Sequence, residues 1–133
     1  MKILELAEPG PLRDSGVSAI LAGTKTAMTG LPAIYEEGAP LPAAGECYGV
    51  IDSDGKPVAV IELTRVATEP IGAVGDAYAH AEGRGYRDAA DWRSAHEDFF
   101  RSDFVAEFLG FVPDFDDDTL VVTQRFRLIE KLG

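Results

Sequence analysis

The sequence is poor in the residues that build disulfides, zinc sites and cofactor sites. Its 133 residues include a single cysteine, Cys47, and two histidines. One cysteine cannot form an internal disulfide, and one cysteine with two histidines does not give a zinc-ligand pattern. Glycine-rich phosphate loops and the Gly-x-Ser-x-Gly turn of serine hydrolases are absent as well. We therefore expect no metal and no cofactor, and we interpret Cys47 as a packing residue in a reducing compartment.

Basic residues are also scarce, with 12 Lys and Arg against 23 Asp and Glu and a net charge of −11. Such a charge opposes non-specific binding to a phosphate backbone, so long duplex DNA is not an expected partner. Four arginines nevertheless lie close together in the sequence, at Arg84, Arg87, Arg93 and Arg101. A surface with separated charges could still hold a nucleotide.

No apolar run has the length needed to span a bilayer, so no membrane partner is expected. The first residues, Met-Lys-Ile-Leu-Glu-Leu-Ala-Glu, carry acids within their apolar part. This layout differs from that of a signal peptide and leads us to expect a cytoplasmic location. The length predicts a single domain over residues 1–133. The oligomeric state is not indicated.

Apolar periodicity predicts alternating helices and strands. An i, i+3, i+4 spacing predicts a helix that begins at Asp14 or Ser15 and ends at Ala22, with Gly23 as its left-handed cap. Other segments are predicted as a helical turn at 32–37, an irregular connector at 38–45, strands at 47–51, 57–66 and 119–132, a hairpin turn at 52–56, and helices at 72–81, 88–101 and 104–109. Short strands among several helices indicate an α+β domain.

The polar segment after the first helix is the first candidate site. Thr24, Lys25 and Thr26 stand between apolar neighbours, so the lysine begins its path close to the core. Its ammonium either reaches water along its stem or finds buried partners. A partly desolvated lysine loses proton affinity and becomes useful to chemistry.

An acid and a helix stripe are the next candidates. Glu62 lies in an otherwise apolar strand, where it either points to solvent or faces a cavity and pairs with Lys25. Trp92 and His96 share one helical stripe, with Arg93 at its border. These side chains fit a hydrogen-bonded core, or a wall that stacks on a base and contacts phosphate.

An acidic run precedes the last strand. Its members, Asp114, Asp116, Asp117 and Asp118, could gather oxygen ligands around a divalent cation. The run lacks the spacing, the glycine and the terminal glutamate of an EF-hand loop. We interpret it as a solvated turn, without a metal.

Three motifs together resemble the ASCH domain family. They are Leu-Ala-Gly-Thr-Lys-Thr at 21–26, Ala-Val-Ile-Glu-Leu-Thr at 59–64, and Trp-Arg-Ser-Ala-His-Glu-Asp-Phe-Phe at 92–100 with Ala-Glu-Gly upstream at 81–83. The resemblance covers nearly the whole chain and implies a small PUA-like β-barrel flanked by helices. It also implies that Glu62 faces the same cleft as Lys25.

One branch of the family hydrolyses the amide of acetylated cytidine with a lysine, a threonine three residues later and a distant glutamate. Lys25 matches the lysine, whereas Met28 stands at the threonine position and Arg84 aligns best with the glutamate. Thr29, Thr26 and Glu82 are possible substitutes if the backbone is shifted. We therefore expect weak or absent turnover, with Lys25, Thr29 and Glu82 as the candidate catalytic residues.

A second relative is a metal-dependent nuclease on single-stranded RNA, which Lys25, Arg93 and His96 match loosely. A third possibility is a module that binds a nucleoside, a nucleotide or short RNA without catalysis. Its candidate ligand-binding residues are Thr24, Lys25, Thr26, Glu62, Trp92, Arg93 and His96. We rank binding first, the hydrolase second and the nuclease third.

Overall fold

The structure is a computed structural model that describes residues 2–4, 6, 9–32, 41–111 and 114–132; the side chains of Phe104 and Phe108 are outside this description. Strands and helices alternate along the chain: β1 (Lys2–Leu4), α1 (Pro11–Ala22), β2 (Ala27–Gly30), β3 (Cys47–Ile51), β4 (Pro57–Pro70), α2 (Asp76–Ala81), α3 (Ala89–Phe100), α4 (Asp103–Leu109) and β5 (Leu120–Lys131).

The strands form one mixed sheet in the order β1-β3-β4-β5-β2. The β1 strand pairs with β3 in parallel, and the other pairs are antiparallel. The long β4–β5 pair is the centre of the sheet. The β2 strand pairs with β5 at the opposite edge of the sheet from β1. Lys25 lies between α1 and β2, and therefore beside this edge strand.

The predicted α+β class is confirmed, but closure of the predicted barrel is not detected. Closure requires hydrogen bonds between the two edge strands. Within the described ranges, the sheet ends at β1 on one side and at β2 on the other. The architecture in these ranges is a five-stranded mixed sheet with helices packed against it.

Two apolar clusters hold the helices to the sheet. The first packs α1, through Val17 and Ile20, against strand residues that include Met28, Ile61 and Phe126. The second packs α2 and α3 against Ala27, Leu31 and Val121, with Tyr78, Ala79, Trp92 and Phe100 as its helical members. Ala27 and Met28 belong to different clusters because successive strand residues point to opposite faces.

Most predicted elements are found, with shifts at their ends. The β3 strand and the end of α1 match the prediction, and Asp88 caps α3 by accepting a hydrogen bond from the Asp91 amide at 2.9 Å. However, α1 begins at Pro11 and not at Asp14 or Ser15, since proline suits the first turn of a helix.

Other boundaries differ more. The strand predicted at 57–66 continues to Pro70, and the helix predicted at 72–81 is a 3₁₀ turn at Ile71–Ala73 followed by α2. The short strands β1 and β2 were not predicted. Most of the predicted helical turn at 32–37 and the start of the connector at 38–45 lie outside the described residues. Among the helices described, none is long and apolar enough to cross a membrane.

Candidate functional site

The end of α1 fixes the backbone of Lys25. Gly23 adopts φ 81°, a left-handed conformation that glycine takes without strain, so the prediction of a glycine cap is confirmed. The amides of Thr24 and Lys25 both donate to the carbonyl of Ala19, at 3.0 and 3.1 Å. The lysine therefore leaves the helix in a defined direction, toward the sheet edge.

The Lys25 side chain is buried, with 6% of its surface exposed. Its ammonium donates to the carbonyl of Ala27 at 2.8 Å, to the carbonyl of Glu82 at 3.3 Å and to Glu82 Oε1 at 3.5 Å. Burial lowers the pKa of Lys25, the Glu82 charge opposes this shift, and the charge of Arg84 adds to it. The alternative in which Lys25 reaches water along its stem is wrong.

Glu82 is the acid that meets this lysine, and it is 3% exposed. Its Oε2 atom accepts hydrogen bonds from Trp92 Nε1 at 2.6 Å and Thr29 Oγ1 at 2.6 Å, and lies 3.2 Å from His96 Nε2. Burial alone would raise the pKa of Glu82. The hydrogen bond and charge of His96, the charge of Lys25 and the Thr29 hydroxyl outweigh burial and lower this pKa to about 2.

Gly83 allows Glu82 to approach Lys25. It follows the end of α2 with φ +67°, and a Cβ atom there would lie 2.5 Å from the Thr24 carbonyl oxygen and 2.7 Å from Lys25 Cα. Any other residue would push the two segments apart. The Thr26 amide, which donates to the Ala81 carbonyl at 2.7 Å, ties the same segments together.

Thr29 and Tyr78 extend the polar cluster. The Thr29 Oγ1 atom lies 3.0 Å from the Tyr78 hydroxyl, which donates to the Met28 carbonyl at 2.5 Å and accepts from the Gln124 amide at 3.1 Å. Burial raises the pKa of Tyr78 well above its ordinary value. Tyr78 is therefore a neutral phenol that holds the β2 and β5 backbones in place.

Both ring nitrogens of His96 face hydrogen-bond acceptors. Nδ1 lies 2.8 Å from the Trp92 carbonyl, and Nε2 lies 3.2 Å from Glu82 Oε2. Each nitrogen can donate to its acceptor when it carries a proton. The Trp92 indole lies against the ring at a centroid distance of 4.6 Å.

These groups border a cavity of about 770 Å³. Its polar lining includes Lys25, Thr29, Glu82, Arg84 and His96. Aromatic and apolar residues complete the wall, among them Leu6, Leu12, Met28, Tyr48, Tyr86, Phe99 and Phe100. Cavities of about 300–1,000 Å³ with few convergent polar groups are typical of small-molecule sites.

The structure does not bring Glu62 to this cavity. Glu62 Oε1 accepts a hydrogen bond from Arg127 Nε at 2.6 Å across the β4–β5 pair. The predicted pairing of Glu62 with Lys25 is therefore wrong. The reason is strand alternation: Ile61 and Leu63 point into the apolar cluster under α1, so Glu62 points to the opposite face.

Four other candidates also lie off the cavity lining. Thr24 Oγ1 donates to the Ala19 carbonyl and Thr26 Oγ1 to the Ala81 carbonyl, so both hydroxyls satisfy local backbone. Arg93 forms ion pairs with Glu97 and Asp117. Trp92 is fully buried, and it contacts the site from behind the lining, through its N–H bond to Glu82 and its ring contact with His96.

The acidic run forms a turn before β5. Asp116 Oδ1 accepts from the Asp118 amide at 2.9 Å, and Asp117 pairs with Arg93. Within the part of the chain that the structure describes, no group of three or more His, Cys, Asp and Glu side chains is arranged to hold a metal ion.

Sequence reasoning missed the contributions of Tyr78 and Tyr86 to the site, and it did not give Arg84 a binding role. The Arg84 guanidinium donates to Ser15 Oγ at 2.7 Å and to the Leu12 carbonyl at 3.3 Å, so it bridges from the segment after α2 to α1. The positive-φ glycines Gly83 and Gly85 on either side of it were the available signal, since they mark a tightly constrained loop.

The fold and site define an α+β domain whose first helix delivers a buried lysine to a glutamate in a small-molecule-sized cavity. The ASCH domain family model matches residues 6–130, so the chain belongs to the ASCH domain family. No curated protein matches it.

Two crystal structures are similar to this chain. One is protein EF3133 from Enterococcus faecalis V583, of the family DUF984, with 26% sequence identity, a TM-score of 0.83, and coverage of 98% of this chain and 77% of that chain. The other is an ASCH domain from Lactobacillus crispatus JV V101, with 32% identity, a TM-score of 0.74, and coverage of 87% and 71%. Both likenesses support the fold.

Proposed function

We propose that this protein binds a single nucleoside or nucleotide unit in the cavity beside Lys25 and Glu82. The observation that carries the proposal is the convergence of a buried, hydrogen-bonded lysine–glutamate pair with an aromatic wall in one cavity of about 770 Å³. Such a cavity suits a planar heterocycle that carries hydrogen-bonding groups on its edge.

Specific atoms of the site match such a ligand. Glu82 Oε2 is saturated by its donors, whereas Oε1 has only the 3.5 Å contact with Lys25 among the described hydrogen bonds. Carboxylate oxygens accept more than one hydrogen bond, so Oε1 can accept from an exocyclic amino group of a base. Tyr86 and Phe99 offer apolar faces on which the base can stack.

The cavity favours a small ligand over a polymer. A net charge of −11 repels a long phosphate chain, and Arg87, Arg93 and Arg101 each pair with a carboxylate. These arginines are thus poorly suited to track a backbone. Short RNA is a further candidate that the binding experiment below distinguishes.

Hydrolysis of an acylated pyrimidine nucleoside is the second candidate. It is favoured by the 2.6 Å hydrogen bond from Thr29 to Glu82, which pairs a hydroxyl with a carboxylate inside the cavity. However, a carboxylate with a pKa of about 2 is a weak general base near neutral pH. Among the described hydrogen bonds, none joins Thr29 to Lys25. Binding therefore ranks first.

The test is a calorimetric titration with cytidine, uridine, adenosine, guanosine, their 5′-monophosphates and a short single-stranded RNA. We expect one monomeric ligand to bind with unit stoichiometry. Glu82→Gln and Thr29→Val should weaken that binding. Glu62→Gln is the matched control, because Glu62 is a partly buried acid that pairs with Arg127 away from the cavity.

Binding of RNA with a steep salt dependence and no monomer binding would contradict the proposal. Equal losses in Glu62→Gln and Glu82→Gln would also contradict it, because the effect would not then come from the cavity. Thr29→Val keeps the side-chain volume and charge, so it provides the test of the cavity if Glu82→Gln fails to fold.

A further inference from the structure

Arg84 differs from the neighbouring arginines in what it contacts. Arg87 pairs with Asp91, Arg93 with Glu97 and Asp117, and Arg101 with Glu97. In contrast, the described partners of Arg84 are neutral: the Ser15 hydroxyl, the Leu12 carbonyl and the Tyr86 hydroxyl. Its positive charge is not compensated by a carboxylate in the described part of the chain.

This uncompensated charge lies on the cavity wall. Arg84, Ser15 and Tyr86 all line the cavity, together with Lys25 and Glu82. Glu82 is the one acid in the lining as described, although the chain has 23 acids. Among the described lining residues, Lys25 and Arg84 give +2 and Glu82 gives −1, so this part of the lining carries a net charge of +1 with a neutral imidazole.

The guanidinium also has spare donor capacity. A guanidinium carries five N–H groups in a rigid fork, and the contacts to Ser15, Leu12 and Tyr86 do not use them all. The contacts to Ser15 and Leu12 hold the group against α1, so it is oriented before a ligand arrives. Planar, pre-oriented forks of this kind bind phosphate oxygens with paired hydrogen bonds.

From this geometry we infer that Arg84, with the Ser15 hydroxyl beside it, forms an anion subsite that selects a nucleoside monophosphate over the corresponding nucleoside. The inference rests on the proposed function for the base and adds the phosphate. Glu82 Oε1 contacts the base end of the ligand, and Arg84 contacts its phosphate near the first turns of α1.

The test compares the binding of three probes to the same protein: cytidine, cytidine 5′-monophosphate and inorganic phosphate. The nucleoside and the 5′-monophosphate of each other base are measured in parallel. We expect the favoured monophosphate to bind roughly tenfold to a hundredfold more tightly than its nucleoside, as for a charged hydrogen-bond pair. Added salt should lower the affinity for the monophosphate and leave the affinity for the nucleoside almost unchanged.

Variants separate recognition from structure. Arg84→Gln should remove the preference for the monophosphate and leave nucleoside affinity within about twofold, and Arg84→Lys should retain part of the preference. Arg87→Gln is the control, because Arg87 pairs with Asp91 on the surface. If Arg84→Gln fails to fold, Arg84→Lys and Ser15→Ala provide the comparison, since both keep a cation at the cavity.

Each outcome decides between the two proposals. Equal binding of nucleoside and monophosphate, unchanged in Arg84→Gln, overturns the anion subsite and leaves nucleoside binding intact. Arg84-dependent binding of inorganic phosphate, with no gain from the base, supports the subsite and overturns the proposed function. Binding of none of the probes overturns both. Parallel losses of nucleoside and monophosphate in Arg84→Gln overturn the subsite, because they indicate that Arg84 only anchors α1.

Discussion

Lys25 and Glu82, separated by 57 positions in the sequence, meet through two groups of the glutamate. The lysine ammonium contacts the Glu82 backbone carbonyl at 3.3 Å and its carboxylate at 3.5 Å. The ion pair is therefore also a link between the end of α1 and the end of α2. Loss of either side chain affects both the electrostatics of the cavity and the position of its walls.

The first prediction concerns the stability of this pair. Glu82→Gln leaves Lys25 buried without its counter-charge, which typically costs about 3–5 kcal/mol of unfolding free energy. Urea denaturation at pH 7 measures the loss. Glu62→Gln removes a pair between a partly buried acid and an exposed arginine, Arg127, and should cost no more than about 1 kcal/mol. Similar losses in the two variants would contradict the buried pairing.

The second prediction concerns acid stability. The pKa of Glu82 is about 2 in the folded protein against an ordinary value of 4.5. The unfolded chain therefore binds the proton first as pH falls, so the stabilisation is complete above pH 4.5 and is lost between about 4.5 and 2. The loss is on the order of 3 kcal/mol. Carboxyl NMR titration of Glu82 measures the shift, and a midpoint above 4.5 would contradict it.

The third prediction concerns Gly83. Gly83→Ala and Gly85→Ala both place a side chain at positive φ, +67° and +82°, which costs about 1–2 kcal/mol in each case. At Gly83 the new Cβ meets backbone, 2.5 Å from the Thr24 carbonyl oxygen, whereas at Gly85 no atom from the described residues beyond its chain neighbours lies within 4 Å of it. Gly83→Ala should therefore lower Tm more and also weaken ligand binding. Equal losses of Tm in the two variants would show that Gly83 is needed only for its positive φ and not for the close approach to Thr24 and Lys25.

The fourth prediction concerns catalysis. Met28 packs in the apolar cluster with Val17 and Ile20, and Glu82 is a weak base, so hydrolysis of acetylated cytidine should be slow or undetectable. Chromatography of the released cytidine measures it. Brisk turnover that Thr29→Ala abolishes would show that the Thr29–Glu82 pair has taken over the role of the family's threonine and glutamate.

Local signals predicted part of this structure well. Gly23 marked the end of α1 and Asp88 the start of α3, because caps depend on the nearest few residues. The pattern of short strands among helices predicted the α+β class, and the polar segment after α1 singled out Lys25. Such features can be read without knowing which distant segments meet.

Glu62 and Glu82 were both candidate acids near Lys25, but local signals could not tell which of the two pairs with it. Glu62 stood out because it interrupts an apolar strand, yet its neighbours Ile61 and Leu63 take the buried face and leave Glu62 beside Arg127. Glu82 reaches Lys25 only because Gly83 lets two loops touch. Contacts between remote segments depend on the packing of the whole sheet, which short-range patterns do not encode.

The most direct test of the nucleotide site is a crystal structure of the protein with the tightest-binding nucleoside or monophosphate from the titration. We predict that the base lies in the cavity, stacked on the aromatic wall with Tyr86, with its polar edge within hydrogen-bonding distance of Glu82 Oε1 or Thr29 Oγ1. A ligand bound outside the cavity, with the Lys25–Glu82 pair untouched, would contradict the account.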